Sequence, residues 1–423
     1  MVEVGAADAR GVTVRAIREE EHDAFLAVDE ESFGELPPED AADQAVLRAS
    51  LELDRTRAAF AGDRLVGSST AISMAVSVPG GSVAMAGLSA VGVAPDHRRR
   101  GVMRAMVLAL LADARERGEP LAGLFASQWP LYGRFGFGMA VPLATLQVTL
   151  DSGGRTATVA GPGTAAVEMV APGDALALLP AVHEAVAAQR GGVTSRSPAW
   201  WRLVLHEFAA DRSELGGRRC AVARGHAGVE GYVLYHFQGA WSVDALPVGK
   251  VTVVELVGAT PEATAALWRH VLNTDLASSM EVHWRPVDDP LPLLLADPRR
   301  ARMGVRDGLF LRLLDLPAAF AGRRAASEGM VRLAVRDEVV DGNSGTWRIC
   351  APDGPGAPLR ALREGSGAAE LAGDVAALSA LYLGGDSALR LRDAGLLSGA
   401  EEAARRLDAL LATDRAPWAL GEF

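Results

Sequence analysis

Between Val83 and Arg117 the sequence writes a strand, a turn and a helix in immediate succession, and the turn is strongly basic. Val83 to Val93 reads as a strand, and Pro95-Asp96 breaks it. Met103, Met106, Val107, Leu110, Leu111 and Ala114 then recur at helical spacing from Val102 to Arg117, with Gly118 in the stop position. Arg98, Arg99 and Arg100 stand just ahead of Gly101 and the helix start, where they oppose the positive end of the helix dipole. Such an arrangement is costly unless an anion neutralises it. Exposed N–H groups at a helix start, a glycine that lets the backbone approach, and arginine side chains together suit a pyrophosphate. The competing reading is a solvated charge run.

A chain of 423 residues exceeds one ordinary core, so roughly three domains are expected. Before the basic turn, Val12 to Ile17 reads as a strand, Glu20 to Ser32 as a helix, and Ala58 to Ala61 with Arg64 to Met74 as a hairpin, with Pro79-Gly80-Gly81 as the next turn. Leu121 to Ser127 is a further strand. The Asp151-to-Arg155 run breaks both apolar periods and marks a linker. A second unit has strands at Cys220 to Ala223, Gly231 to Leu234 and Val251 to Val257, and helices near Ala181 to Ala188, Trp200 to Glu207 and Pro261 to Asn273. A third has strands at Val331 to Val335 and Thr346 to Ile349, and helices at Gly373 to Leu381 and Glu401 to Leu411. The expected limits are therefore 1–152, 153–300 and 301–423, in an α+β chain.

Composition removes several functions. A net charge of −11 disfavours binding to a phosphate backbone and suits cationic partners, although a surface charged for solubility gives the same number. No charge-free apolar stretch reaches about 18 residues, which argues against membrane insertion. Neither an export signal nor a metal-ligand spacing is visible, and the eight histidines are scattered. Cys220 and Cys350 read as reduced, buried thiols, in keeping with the cytoplasm. No Gly-x-Ser-x-Gly elbow supports a serine hydrolase.

A second signature is Ser127-Gln128-Trp129-Pro130-Leu131-Tyr132-Gly133-Arg134-Phe135-Gly136-Phe137-Gly138. Its glycines permit tight turns, and Tyr132 carries a phenolic proton that could return to a departing thiolate. A packed core tyrosine is the alternative. The chain closes on Leu420-Gly421-Glu422-Phe423.

The Arg98-x-x-Gly101 turn resembles the coenzyme A pyrophosphate loop of GNAT acyltransferases, with Met103 where a small residue is usual. Together with Tyr-Gly-Arg-Phe-Gly-Phe-Gly and the aromatic terminus, it resembles the Eis (enhanced intracellular survival) family over essentially the whole chain. The resemblance implies two tandem GNAT-like acyltransferase domains, mixed sheets flanked by helices, followed by a sterol-carrier-protein-like α+β domain whose tail enters the active site. It implies an acetyl-CoA-dependent N-acetyltransferase with one cofactor site per chain. Val91, Val93, Arg98, Arg99, Gly101, Val102 and Ser127 would bind the cofactor. Tyr132 would act as general acid, the Phe423 carboxylate would help activate the amine, and Glu422 would touch the substrate. The acceptor would be a small polyamine or aminoglycoside, with protein lysines as the alternative, in a homo-hexamer. Asp29, Glu30 and Glu31 could line a cationic pocket or form a solvated helix face. A lipid carrier with a degenerate acyltransferase domain is the rival from another class.

Overall fold

Short β-branched and small-residue runs build the first sheet: β1 (Thr13–Arg15), β2 (Ala58–Ala61), β3 (Arg64–Val78), β4 (Gly81–Val93) and β5 (Leu121–Phe125), side by side in that order. Pro79 and Gly80 (φ +82°) turn β3 antiparallel onto β4, as a Pro-Gly pair is built to do. β4 and β5 run parallel, so a helix must cross between them. That crossover is α3 (Val102–Glu116), which buries Met106, Val107, Leu110, Leu111 and Ala114 and stops at Gly118 (φ +74°). Ahead of it lie α1 (His22–Phe33) and α2 (Ala41–Ser50), the latter started by the Asp40 carboxylate accepting from the Ala42 and Asp43 amides. Trp129–Tyr132 forms a single helical turn, α4.

This computed structural model describes residues 11–150, 165–365 and 367–423. They fall into two units: Met1–Val141 with Gly308–Asp414 and Phe423, and Pro142–Asp307 with Arg415–Glu422. The linker expected at 151–155 lies outside the described residues.

The second unit repeats the plan of the first. It holds β6 (Gly138–Thr149) from Pro142 onward, β7 (Ala166–Val170), α5 (Pro172–Ala187), α6 (Pro198–Leu205) and α7 (Ala209–Leu215). β8 (Arg218–Gly225), β9 (Gly228–Gln238), β10 (Gly249–Gly258), α8 (Pro261–Leu272), β11 (Ala277–Pro286) and α9 (Leu291–Leu294) follow. The strand order is β6-β11-β10-β9-β8-β7, with β10 and β11 parallel and α8 crossing between them. Val251, Val253, Leu267, Trp268, Val271 and Val282 form the centre of its core.

The remaining chain departs from the sequence expectation at its start. β12 (Ala301–Leu313) does not open a third sheet; from Leu309 it pairs antiparallel with β5, Leu309 opposite Phe125 and Leu313 opposite Leu121. Then come α10 (Leu316–Ala321), β13 (Gly329–Arg336), β14 (Gly345–Ala351), β15 (Arg360–Glu364), β16 (Leu371–Asp374), α11 (Val375–Leu381), α12 (Ala388–Asp393), β17 (Leu397–Gly399) and α13 (Glu401–Leu411). The five strands lie in the order β15-β14-β13-β16-β17. The helix expected from Gly373 begins two residues later, because Asp374 ends β16 and its carboxylate caps the Ala377 amide at 2.9 Å. Both cysteines are free and buried, and burial pushes the Cys220 thiol up to about 11. No helix among the described residues is long and apolar enough to cross a membrane.

Candidate active site

β4 and β5 keep parallel register only from Met85/Leu121 to Gly87/Gly123, although both strands continue. Beyond Gly87 they part. Just past that point β4 bulges against β3: Ser89 faces Thr70 and Gly92 faces Ser68, which leaves Ala90 and Val91 opposite one residue. The strained residue at the bulge is Ala90 (φ +54°), not the nearby Gly92. Gly92 serves packing instead, since a Cβ there would stand 2.5 Å from the Ser32 Oγ at the end of α1. Val91 and Val93 are half-buried on the stretch of β4 that has no parallel strand beside it among the described residues.

The turn into α3 is shaped for an anion. Arg99 (φ +62°) and Gly101 (φ +83°) are both left-handed, an alternation that turns successive amides to one side. No side chain caps α3 and no acidic residue lies in its first turn, whereas Asp or Ser/Thr caps start α2, α6, α8, α10, α11 and α12. A Cβ at Gly101 would meet nothing within 4 Å, so the backbone at the helix start has open space beside it. Arg98 is tied in place, its Nε donating to the Val93 carbonyl at 3.1 Å and Nη2 to that of Ser32 at 3.3 Å; Arg99 and Arg100 are exposed. His97 pairs with Asp96 at 2.9 Å, which also holds Arg64. Amides, two left-handed turns and guanidinium groups thus converge where a pyrophosphate would sit, and a strand edge free to bond an amide-bearing arm lies beside them. These residues fit coenzyme A.

Tyr132 closes α4 and is 4% exposed, with its ring edge-on to Phe137 at 6.1 Å. Burial pushes its hydroxyl up to about 12, against the opposing pull of a side-chain hydrogen bond with Ser127. Ser127 is exposed two residues past β5. The pair therefore sits at the open end of the parted strands, with the tyrosine neutral at physiological pH.

The chain end occupies the same place. The Ser89 Oγ donates to the main-chain oxygen of Phe423 at 2.9 Å, and the Phe423 ring meets Phe125 edge-on at 5.2 Å. Gly87 makes room: a Cβ there would lie 2.9 Å from the ring. Glu422 belongs to the second unit, where partial desolvation raises its carboxyl and Asp307 adds to the rise while Arg306 opposes it.

Comparison with known proteins accounts for this geometry. Residues 13–140 and 192–313 each match the acetyltransferase (GNAT) domain, and 316–420 the sterol carrier protein domain. The N-acetyltransferase Eis of Mycobacterium tuberculosis is 35% identical over 358 residues, 84% of each chain. The chain belongs to the Eis family of N-acetyltransferases. An N-acetyltransferase of Streptomyces griseus is likewise 35% identical, over 377 residues, 88% of this chain and 89% of that one. The crystal structure of Eis1 from Mycobacterium abscessus matches 97% of this chain and 100% of its own at a TM-score of 0.82 and 32% identity.

Two residues of this Eis-family site escaped the sequence reading. Ser89 and Gly87 lie inside a buried strand run and belong to no motif, although a serine among apolar neighbours one residue before a left-handed Ala90 is a signal. Asp29 was weighed against a solvated face, and the structure gives it a distinct environment. It stands one turn before Ser32, its Oδ1 is buried with no hydrogen-bond partner among the described residues, and burial, then Glu30 and Glu35, raise it to about 7. Glu30 rises as well, by burial first and Glu35 next, while Glu31 is exposed.

Proposed function

We propose that this N-acetyltransferase moves the acetyl group of acetyl-CoA to a primary amine of a small polycationic molecule of the aminoglycoside or polyamine kind. The observation that carries this reading is the main-chain oxygen of Phe423, hydrogen-bonded by Ser89 where β4 leaves β5. When bound, acetyl-CoA supplies an activated thioester. Arg98, Arg99 and the amides from Gly101 and Val102 hold its pyrophosphate, the edge around Val91 and Val93 holds its arm, and Ser127 orients Tyr132. The chain's own groups then handle protons. The terminal carboxylate, directly or through water, takes a proton from the ammonium, and the freed amine forms the C–N bond as the C–S bond breaks. Tyr132 protonates the departing sulfur, and the nitrogen, cationic once the C–N bond has formed, gives up its second proton to restore Tyr132 through water, so the proton taken by the carboxylate is the one released per acetyl transferred.

An α-carboxylate and a lysine-like ammonium differ by about seven pK units, about 9 kcal/mol, in water. Neighbouring positive charges lower each amine of a polycation and narrow that gap, which favours such acceptors over an isolated lysine. Asp29 and Glu30 offer the negative field that such a substrate needs. Of the expected limits 1–152, 153–300 and 301–423 we keep the first and move the last, since β12 pairs with β5 and residues 192–313 match the acetyltransferase domain, so the sterol-carrier-like domain begins near Leu316; the assembly we propose is a hexamer, which light scattering would check. Thiol release with product mass analysis across aminoglycosides, polyamines and lysine peptides tests the substrate class. The polycations should show the higher kcat/KM; preference for the peptides overturns the reading.

A further inference from the structure

The second unit carries the same parted-strand device as the first, but filled. Parallel register between β10 and β11 ends at Val253/Val282, and β10 bulges at Val254, between the residues facing Tyr235 and Leu234. α8 follows β10 as α3 follows β4. Here, however, the helix start is already satisfied: Thr260 accepts from the Ala263 amide at 3.2 Å, Pro261 occupies the first position, and Glu262 puts negative charge in the first turn. No run of arginines precedes it. Between the strands lies Arg285, 3% exposed, which reaches from β11 to the Leu256 carbonyl of β10 and pairs with Asp289 at 2.6 Å. Its guanidinium stacks over Trp268 at 5.2 Å and over Trp418 at 4.6 Å.

Trp418 belongs to the chain's last segment, and that segment is held at alternate residues, Ala416, Trp418 and Leu420. The Ala416 amide donates to Asp288 at 3.0 Å while Arg190 donates to the Ala416 carbonyl at 2.9 Å. The Trp418 amide donates to the Gly191 carbonyl at 2.8 Å, and its indole N–H to that of Trp284 at 2.9 Å. Arg196 donates to the Leu420 carbonyl at 2.7 Å. Trp418, Ala419 and Leu420 are each no more than 3% exposed. Arg196 is itself fixed by a two-pronged pair with Glu255 at 3.0 and 2.7 Å, the residue next after the β10 bulge, and lies 4.7 Å over Trp201. Tyr232 also donates to Glu255. A buried charge network this well satisfied is more than filler, since it ends on a backbone carbonyl of the tail.

We propose that the cofactor-type cleft of the second module is a receptor for the chain's own segment Ala416–Leu420, with Arg196 and Arg285 as positioning residues for the chain end. The carboxylate of Phe423 follows three residues after the last gripped carbonyl. The inference rests on the reading that this carboxylate serves the transfer reaction. Removing Arg196 outright would strand Glu255 and risk unfolding, so two gentler changes are used in the full chain. Arg196→Lys keeps the charge but loses the fork that serves Glu255 and Leu420 together. Trp418→Ala leaves Arg285 stacked on Trp268 and paired with Asp289.

In both variants amides of residues 416–422 should exchange with deuterium at least about tenfold faster, while the melt stays cooperative. Turnover should fall by at least about tenfold and acetyl-CoA affinity stay within about twofold. A Gly-Ser extension after Phe423 should abolish turnover with tail protection unchanged. Tail amides as protected as in the parent, or normal turnover despite fast exchange, would overturn the receptor as a positioning device. Normal turnover in the extended chain would instead sink the catalytic reading of the carboxylate and leave the exchange rates to judge the seat.

Discussion

Replacing Tyr132 by Phe deletes one buried hydroxyl and keeps the ring, so packing against Phe135 and Phe137 persists. The lost hydrogen bond to Ser127 costs about 1 kcal/mol, since the exposed serine can turn to water. Catalysis should suffer far more: without the proton donor, turnover should fall by about 10²–10⁴-fold with acetyl-CoA affinity nearly unchanged. The structure adds a signature that a merely packed tyrosine would not link to rate. Burial holds the hydroxyl at about 12, above its ordinary value of about 10, so Tyr132 remains a donor across the neutral range. Because the folded value lies above the unfolded one, the associated stability is complete below pH 10 and is lost as pH rises through 12. That loss amounts to about 3 kcal/mol, and the Phe variant should lack it. Urea titrations at pH 8 and pH 11, where about half of that loss, about 1.4 kcal/mol, has set in, measure both, beside thiol-release kinetics with a weakly activated amine. Parent-like turnover would show that Tyr132 only packs, and identical alkaline stability profiles would refute its depth of burial.

Alanine at Arg98 or Arg99 should weaken acetyl-CoA binding about ten- to a hundredfold by calorimetry, the loss of about 1.5–3 kcal/mol of charge-assisted bonding. Arg98→Ala should be the worse, since it also frees the ends of β4 and α1. Gly87→Ala would push a methyl to 2.9 Å from the Phe423 ring and 2.8 Å from Met74, costing about 1–3 kcal/mol of stability in thermal melts and displacing the chain end, with turnover falling while acetyl-CoA still binds. Asp29, raised to about 7, should lose its charge as pH falls, so the KM for a polycationic amine should rise below pH 7 and Asp29→Asn should flatten that profile. The raised pKa also means that Asp29 gives up stability as pH climbs through 7, so Asp29→Asn should raise Tm at pH 8 but not at pH 4.

The basic turn was legible because its parts are local: a strand end, a glycine and three arginines within eleven residues of sequence, Val91 to Gly101, fix α3 and its bare first turn. The amphipathic stretch Glu401–Leu411 was equally plain and is α13 without adjustment. What was not legible depends on partners distant in sequence. Gly308–Leu313 is buried through most of its length, so it shows no alternation that would reveal a strand, still less one that pairs with β5. Ser89 acquires its partner 334 positions away. The grip of Arg196 on Leu420 spans 224 positions and involves residue types that elsewhere form ordinary ion pairs.

Gly136 and Gly138, the second and third glycines after Tyr132, reveal what that loop rests on. A Cβ at Gly136 would stand 2.7 Å from both Arg312 of β12 and Val375 of α11, and one at Gly138 would collide with the Ala376 carbonyl. Arg312 is wholly buried and bonded at 2.7 Å to Asp337. The hairpin turn at Pro79 likewise accepts from the Arg324 amide at 2.8 Å. The loop that carries the tyrosine is thus moulded against residues that the chain delivers some 175 to 240 positions later, judging by the spacing from Gly136 to Arg312 and Ala376. Such an enzyme is no portable cassette: the first 141 residues hold the basic turn and the tyrosine loop, yet excised or grafted onto a foreign partner they would lose the floor beneath that loop, and lineages could exchange these domains only as a matched set.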